Sequence, residues 1–189
     1  MWKRLRRFSL RFFLVMITAV CVCLAVIDNN QVAKFSAEKS RQGMTELFDN
    51  LLWLGNSFDA RDPAPIFELG IEAVIDLAYE ERPAQLPRKL IYCRFPLNDG
   101  GGNKEATLVH AIQTLVDFLN RDTRTLIACS AGLSRSPTIA AIGLALHTGK
   151  TPAEVVEQIG ELKSLAINGL FWNEASKAAS NIRVKKHPK

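Results

Sequence analysis

The feature that most restricts the fold is a strand that passes without a spacer into a loop and then into a helix. Thr125 to Ala128 (TLIA) is a short apolar run that reads as a buried strand. It leads directly into Cys129-Ser-Ala-Gly-Leu-Ser-Arg135, and Pro137 to about Leu146 (PTIAAIGLAL) reads as a buried helix. The rest of the chain alternates in the same way. Leu51 to Leu54 reads as a strand closed by the turn residues Gly55-Asn56. Asp62-Pro63 opens a helix to about Leu69, with Asp as N-cap and Pro at the first helical position. Ala73 to Leu77 and Leu90 to Phe95 read as further strands, and Pro83 and Pro87 mark a loop between them. Leu108, Ile112, Leu115 and Leu119 keep a helical period through about Asn120. Thr151-Pro-Ala-Glu154 is a capping box opening a helix to about Leu162, and a last helix covers about Gly169 to Asn181. Strands that alternate with helices predict an α/β fold, a three-layer domain with a central, mostly parallel sheet flanked by helices.

The loop at Cys129 carries chemistry-bearing residues. A Cys and an Arg separated by five residues can close a loop whose backbone N–H groups point inward, and the N-terminus of the following helix adds its dipole. Gly132 permits the backbone turn such a nest requires. A nest of this kind favours the thiolate form of Cys129. Arg135 can grip two phosphate oxygens with its planar fork, a geometry Lys cannot copy. Thiolate, amides and guanidinium together suit a site that binds phosphate and attacks phosphorus. The bare spacing by itself better suits a packed cysteine and a surface arginine. The strand before it, the glycine at the fourth position, the Arg-Ser pair and the helix beyond favour the site.

CSAGLSRS resembles the signature loop of the cysteine-dependent dual-specificity and tyrosine phosphatases. LLWLGN (51–56) is similar to that family's first strand and turn, LGIEAVIDLA (69–78) to its second strand, and FPLNDGGGN (95–103) to its general-acid loop. The likeness covers about residues 44–182 and is tightest at the loop. It implies a phosphatase-like fold and a phosphomonoester hydrolase. The implied substrates are phosphotyrosine and, by extension, phosphoserine or phosphothreonine in proteins, cleaved through a phosphocysteine intermediate. Carried over residue by residue, Cys129 is the nucleophile and Arg135 binds phosphate with the loop residues Ser130, Ala131, Gly132, Leu133 and Ser134. Asp99 is the acid that protonates the leaving oxygen, and Ser136 the hydroxyl that assists thiolate departure. Asn-Asp-Gly is turn chemistry in any case, and Ser136 would also suit a helix N-cap. Pro96 to Asn103, with Gly100, Gly101 and Gly102, reads as an irregular, mobile loop able to close over substrate. In one place the sequence departs from the family's pattern: Ala128 stands where a His usually precedes the nucleophile, which predicts a slower enzyme or a higher thiol pKa. The signature loop also holds no Lys, which argues against a highly anionic lipid headgroup.

No cofactor is implied and no metal is needed, since His110, His147 and His187 have no ligand-like spacing. The net charge of +5 would suggest nucleic acid until it is divided. Lys3, Arg4, Arg6, Arg7 and Arg11 against Asp28 give the first 30 residues +4, and Arg183, Lys185, Lys186 and Lys189 give the tail another +4. The stretch between therefore carries −3, and the body of the chain is no general polyanion binder.

Residues 1–30 read as a basic and apolar signal-anchor or signal segment with an N-terminal apolar helix, 31–43 as a polar linker, 44–182 as the catalytic domain and 183–189 as a basic tail. The uncharged run from Phe12 to Ile27 is 16 residues, between a signal h-region of roughly 7–15 and a span of about 20. Three outcomes stay open: a membrane anchor through residues 12–27, export after cleavage, or a cytoplasmic protein translated from Met44. Of the 4 cysteines, Cys21 and Cys23 lie in that run, and Cys93 reads as a core thiol that could otherwise pair with an oxidised Cys129. The competing functions are a rhodanese-like sulfurtransferase, which would need no acid at Asp99, and a membrane-tethered phosphate-binding module with little turnover. The expected partner is a phosphorylated protein rather than a phospholipid or small phosphomonoester.

Overall fold

The computed structural model describes residues 43–182. The apolar segment 12–27, nearly all of the linker and the basic tail lie outside the described residues. Among those that are described, no helix is long and apolar enough to cross a membrane.

Five strands form one sheet: β1 (Thr45–Phe48), β2 (Leu52–Gly55), β3 (Ala73–Ala78), β4 (Ile91–Leu97) and β5 (Thr125–Ala128), in the order β1-β2-β5-β3-β4. All neighbours run parallel except β1, which pairs antiparallel with β2. Among the described residues five α-helices accompany them, α1 (Pro63–Glu68), α2 (Glu105–Leu119), α3 (Arg135–Thr148), α4 (Pro152–Leu162) and α5 (Gly169–Ala179), with a single 3-10 turn at Asp59–Arg61.

The two-residue alternation of each strand divides the core between the sheet's faces. Leu52 and Leu54 of β2, Ile75 and Leu77 of β3 and Ile127 of β5 face α2, α3, α4 and α5. Trp53, Val74, Leu126 and Ala128 point the other way, against Ile66 of α1 and Ile71. Among the described residues the layers are thus unequal, with four helices on one face and on the other the short α1 and the 3-10 turn that carries Ala60. Helix α3 is buried from Arg135 to Ala145 and forms the centre of the thick side. A Cβ on Gly143 would come 2.5 Å from Leu115 Cδ2, so glycine lets α3 approach α2 closely.

Several starts were set by local rules. Asp62 accepts from the Ala64 N–H ahead of Pro63, and the Thr151–Glu154 capping box is complete in both directions. Three boundaries differ from the sequence reading. Strand β1 was not anticipated; it leads into β2 through a tight turn at Asp49 and Asn50, both with positive φ (24° and 54°). Strand β4 continues through Pro96 to Leu97, which an edge strand tolerates because its outer N–H positions need no partner. Helix α3 begins at Arg135 rather than Pro137, because the first turn of a helix has free N–H groups and a proline there costs none.

Candidate active site

The parallel strands end on one edge of the sheet, and the loops that follow them meet there, as in open α/β sheets generally. β5 runs into Cys129, β2 into Asn56 and Ser57, β3 into Glu80 and Glu81, and β4 into Asp99.

The loop from Cys129 to Ser134 is held by its outward carbonyls. Ser57 N–H donates to Ser130 O at 3.1 Å, and Ala166 N–H donates to Leu133 O at 2.9 Å. Gly132 lies in the left-handed region (φ +71°), and a Cβ there would stand 2.8 Å from Gly55 O. Both the conformation and the space therefore demand glycine. Its N–H donates to Cys129 Sγ at 3.3 Å, and Ser136 Oγ–H reaches the same sulfur at 3.2 Å. Cys129 is 2% exposed. Ser136 is fully buried inside the first turn of α3, while Ser134 occupies the N-cap position without making a cap bond. Ala131 is exposed and Leu133 half-buried, so the loop offers substrate its backbone rather than its side chains.

Arg135 is buried yet charged. Burial opposes the charge, but its hydrogen bonds to Glu80 and the nearby Cys129 raise its affinity for the proton above the ordinary value. Nη1 donates to Glu80 Oε2 at 2.7 Å and to Leu97 O at 2.9 Å, and Nη2 donates to Glu80 Oε1 at 2.5 Å. Glu80 in turn is held below the usual carboxylate range, first by its bond from Arg135. Of five guanidinium donors three are thus engaged. The Nε–H is buried without a partner. It shares one edge of the guanidinium with the second Nη2–H, and that edge is the two-pronged geometry an oxyanion takes. Beside it, Ser130 Oγ donates to Glu81 Oε1 at 2.7 Å, and Glu81 Oε2 is 3.1 Å from Arg61 Nη2.

Asp99 is drawn to the same loop. Its Oδ1 accepts from Ser134 Oγ at 2.6 Å, and Ser134 Oγ accepts from Asn168 N–H at 3.1 Å. The glycine-rich segment read as mobile is tied down here. Asn103 Oδ1 accepts from Asn98 N–H at 2.8 Å, and Asn103 Nδ2 donates to Asn98 O (3.2 Å) and Gly100 O (3.0 Å). Glu174 of α5 accepts from Gly102 N–H at 2.7 Å, Asn103 N–H at 3.1 Å and Asn103 Nδ2 at 3.1 Å.

The sequence reading missed Glu80, Glu81 and Glu174. The first two had a usable signal, since a pair of carboxylates directly after a parallel strand lies on the loop edge where such sites form. Glu174 had none, being 71 residues from Asn103. Cys93 and Cys129 are both free, and burial pushes the Cys93 thiol up, in keeping with a packed thiol. Among the described residues, no three His, Cys, Asp or Glu side chains form a metal-ligand cluster.

No family model matches the chain. It is 30% identical over 128 residues to a mouse protein named dual specificity protein phosphatase 15, covering 66% of this chain and 52% of that one. It is 33% identical over 95 residues to the probable protein tyrosine phosphatase type IVA A of Dictyostelium discoideum, covering 47% of this chain and 57% of that one. The chain thus spans about half the length of the curated relatives it matches. In fold it is similar to the crystal structure of DUSP15, with a TM-score of 0.62 at 24% identity over 74% of this chain and 88% of that one.

Proposed function

From a chain that is a relative of the cysteine-based dual specificity phosphatases in sequence and in fold, we propose a metal-independent phosphomonoester hydrolase acting on phosphorylated proteins. The observation that carries this reading is the state of Arg135. Glu80 and Leu97 O fix its guanidinium and leave a two-donor edge, with a buried, unpartnered Nε–H, beside a loop whose Gly132 N–H already points at Cys129 Sγ.

In the proposed cycle the Cys129 thiolate attacks phosphorus, the P–O bond to the substrate breaks, and protonated Asp99 gives its proton to the departing oxygen. Water, losing a proton to Asp99, then cleaves the S–P bond, releasing inorganic phosphate and the thiolate. Arg135 and the loop amides hold the equatorial oxygens throughout. Ser136 Oγ–H is within reach of the sulfur to stabilise the thiolate as it departs. The hydroxyls of Ser130 and Ser134 are engaged by Glu81 and Asp99, so their part in phosphate binding falls to backbone N–H groups.

The absence of any Lys from the Cys129–Arg135 loop favours a singly phosphorylated group on a protein over a polyanionic lipid headgroup, which would call for more cationic partners. An acid tethered to the loop through Ser134 supports the phosphatase over a sulfurtransferase. The run 12–27 supports a membrane-anchored placement on sequence grounds alone.

The test is release of phenol from an aryl phosphate by the full-length chain in mild detergent, with EDTA and reductant, beside Cys129→Ser. We expect turnover that vanishes in the variant while vanadate still binds. A folded wild-type protein that binds vanadate and releases no phenol would leave a phosphate-binding module instead.

A further inference from the structure

We propose that Glu174 is a positioning residue, which fixes the loop carrying Asp99 and so sets how well the acid serves the leaving group. The proposal rests on the phosphatase reading and adds to it a residue far from the reacting atoms.

Residues 98–103 hold no apolar side chain whose burial could order them. Asp99 is followed by Gly100, Gly101 and Gly102, and a Cβ on Gly100 or Gly102 would meet nothing within 4 Å. Glycine loses more backbone freedom on ordering than any other residue, and this run has no side chains to bury in return. Gly102 also sits at φ +87°. Hydrogen bonds must therefore fix the loop: Asn103 ties it to Asn98 and Gly100 from within, and Glu174 of α5 holds it from outside.

Helix α5 is anchored through Phe171, Ala175 and Ala178, all fully buried. Glu174 lies one turn beyond Phe171 and turns toward the loop, where its two oxygens take three donors. Those bonds, with the Gly102 N–H foremost, hold its carboxyl below the usual range. The same helix acts at its start. Asn168 caps α5 by accepting from Leu170 and Phe171 N–H, and its own N–H donates to Ser134 Oγ, the hydroxyl that in turn donates to Asp99. One rigid element thus grips the acid loop at its far end and steadies the hydroxyl that orients the acid. Glu174 touches no reacting atom, and its effect passes wholly through the placement of Asp99.

A misplaced acid matters most when the leaving oxygen needs its proton. The experiment compares wild type, Glu174→Ala and Glu174→Gln on phenyl phosphate and on 2,4-dinitrophenyl phosphate, with vanadate inhibition measured alongside. General acids contribute about 10²–10⁴-fold, so Glu174→Ala is expected to lose roughly 10–100-fold in kcat/KM on phenyl phosphate and less than about threefold on the dinitrophenyl ester. Vanadate affinity should hold within about twofold, because the Cys129 loop is untouched. Glu174→Gln keeps an acceptor for the Gly102 N–H and should fall between. If the Ala variant folds poorly, the Gln variant carries the same comparison.

Hydrogen exchange gives a second readout that needs no turnover: protection of the Gly102 and Asn103 amides should drop in Glu174→Ala. Equal loss on both esters, or unchanged dependence on the leaving group, overturns the proposal, and so does unchanged amide protection. A wild-type protein without Cys129-dependent turnover would instead sink the phosphatase reading, and the two failures are thereby distinct.

Discussion

Ser136→Ala gives the sharpest test of how the two half-reactions are divided. The Ser136 hydroxyl has one proton and two acceptors in range, Cys129 Sγ at 3.2 Å and Gly55 O at 3.5 Å. In the proposed cycle the sulfur leaves as a thiolate and, at the shorter distance, takes that proton; the bond is then made to the thiolate, not to the phosphocysteine. Its loss should fall on the step that regenerates the thiolate. A hydrogen bond to a charged group contributes about 1.5–3 kcal/mol, which is roughly 10–150-fold in that step. Formation of the intermediate should change little, since a less stabilised thiolate is also a better nucleophile and the two effects oppose. The variant should therefore accumulate phosphocysteine. Rapid mixing with p-nitrophenyl phosphate should show a burst of nitrophenol approaching one per enzyme, followed by a slow rate independent of the leaving group. Ser136 is fully buried and alanine fits its space, so a folding defect is not expected. A steady-state kcat within about threefold of wild type, with no larger burst, would refute the reasoning and assign the hydroxyl to Gly55 O.

Gly132→Ala should cost at least about 10²-fold in kcat/KM and weaken vanadate binding with it, because the new Cβ meets Gly55 O at 2.8 Å and the φ of +71° is strained for alanine; the aryl phosphate assay and vanadate inhibition check both. Burial, and then its hydrogen bond to Asp76, push the Tyr92 hydroxyl up to about 12, above the ~10 of an unfolded chain. A group whose folded value is raised stabilises the fold below about pH 10 and loses that contribution as pH rises through about 12. Urea midpoints should thus fall between pH 10 and 12 in wild type more than in Tyr92→Phe, and an equal fall in both would refute the assignment.

Local chemistry and tertiary contact account for what could and could not be read from the sequence. Asp62-Pro63 and Thr151-Pro-Ala-Glu154 declare their helices, since a cap and its partner lie within one turn. Strands β2, β3 and β5 declare themselves by short apolar runs, each fully buried in the fold. Strand β1 has only four residues and gains its place from β2, so its sole local trace was the Asp49-Asn50 turn. The Cys129 loop was legible as strand, nest and helix, whereas Asp99 was singled out by the family resemblance, since Asn-Asp-Gly alone reads as a turn. Of the carboxylates that arrange these groups, Glu80 and Glu81 had only their place directly after β3 to mark them, and Glu174 had no local mark because it meets Gly102 and Asn103 only when distant segments come together.

Ala128 bears on the same division. A His before the nucleophile would steady the loop from its strand side, and here that side chain is a methyl group, 1% exposed in the layer beneath α1. The backbone of the loop is nevertheless fixed from three other directions. Ser57 N–H, from the turn after β2, holds Ser130 O. Glu81, after β3, holds Ser130 Oγ and is itself pinned by Arg61. Ala166 N–H, between α4 and α5, holds Leu133 O. Each anchor belongs to a different segment, so loosening the loop would require several to yield together. An apolar residue at 128 then costs the site little of its geometry, and the slower chemistry expected from Ala128 must come from the lost electrostatic help of a ring rather than from a poorly formed nest.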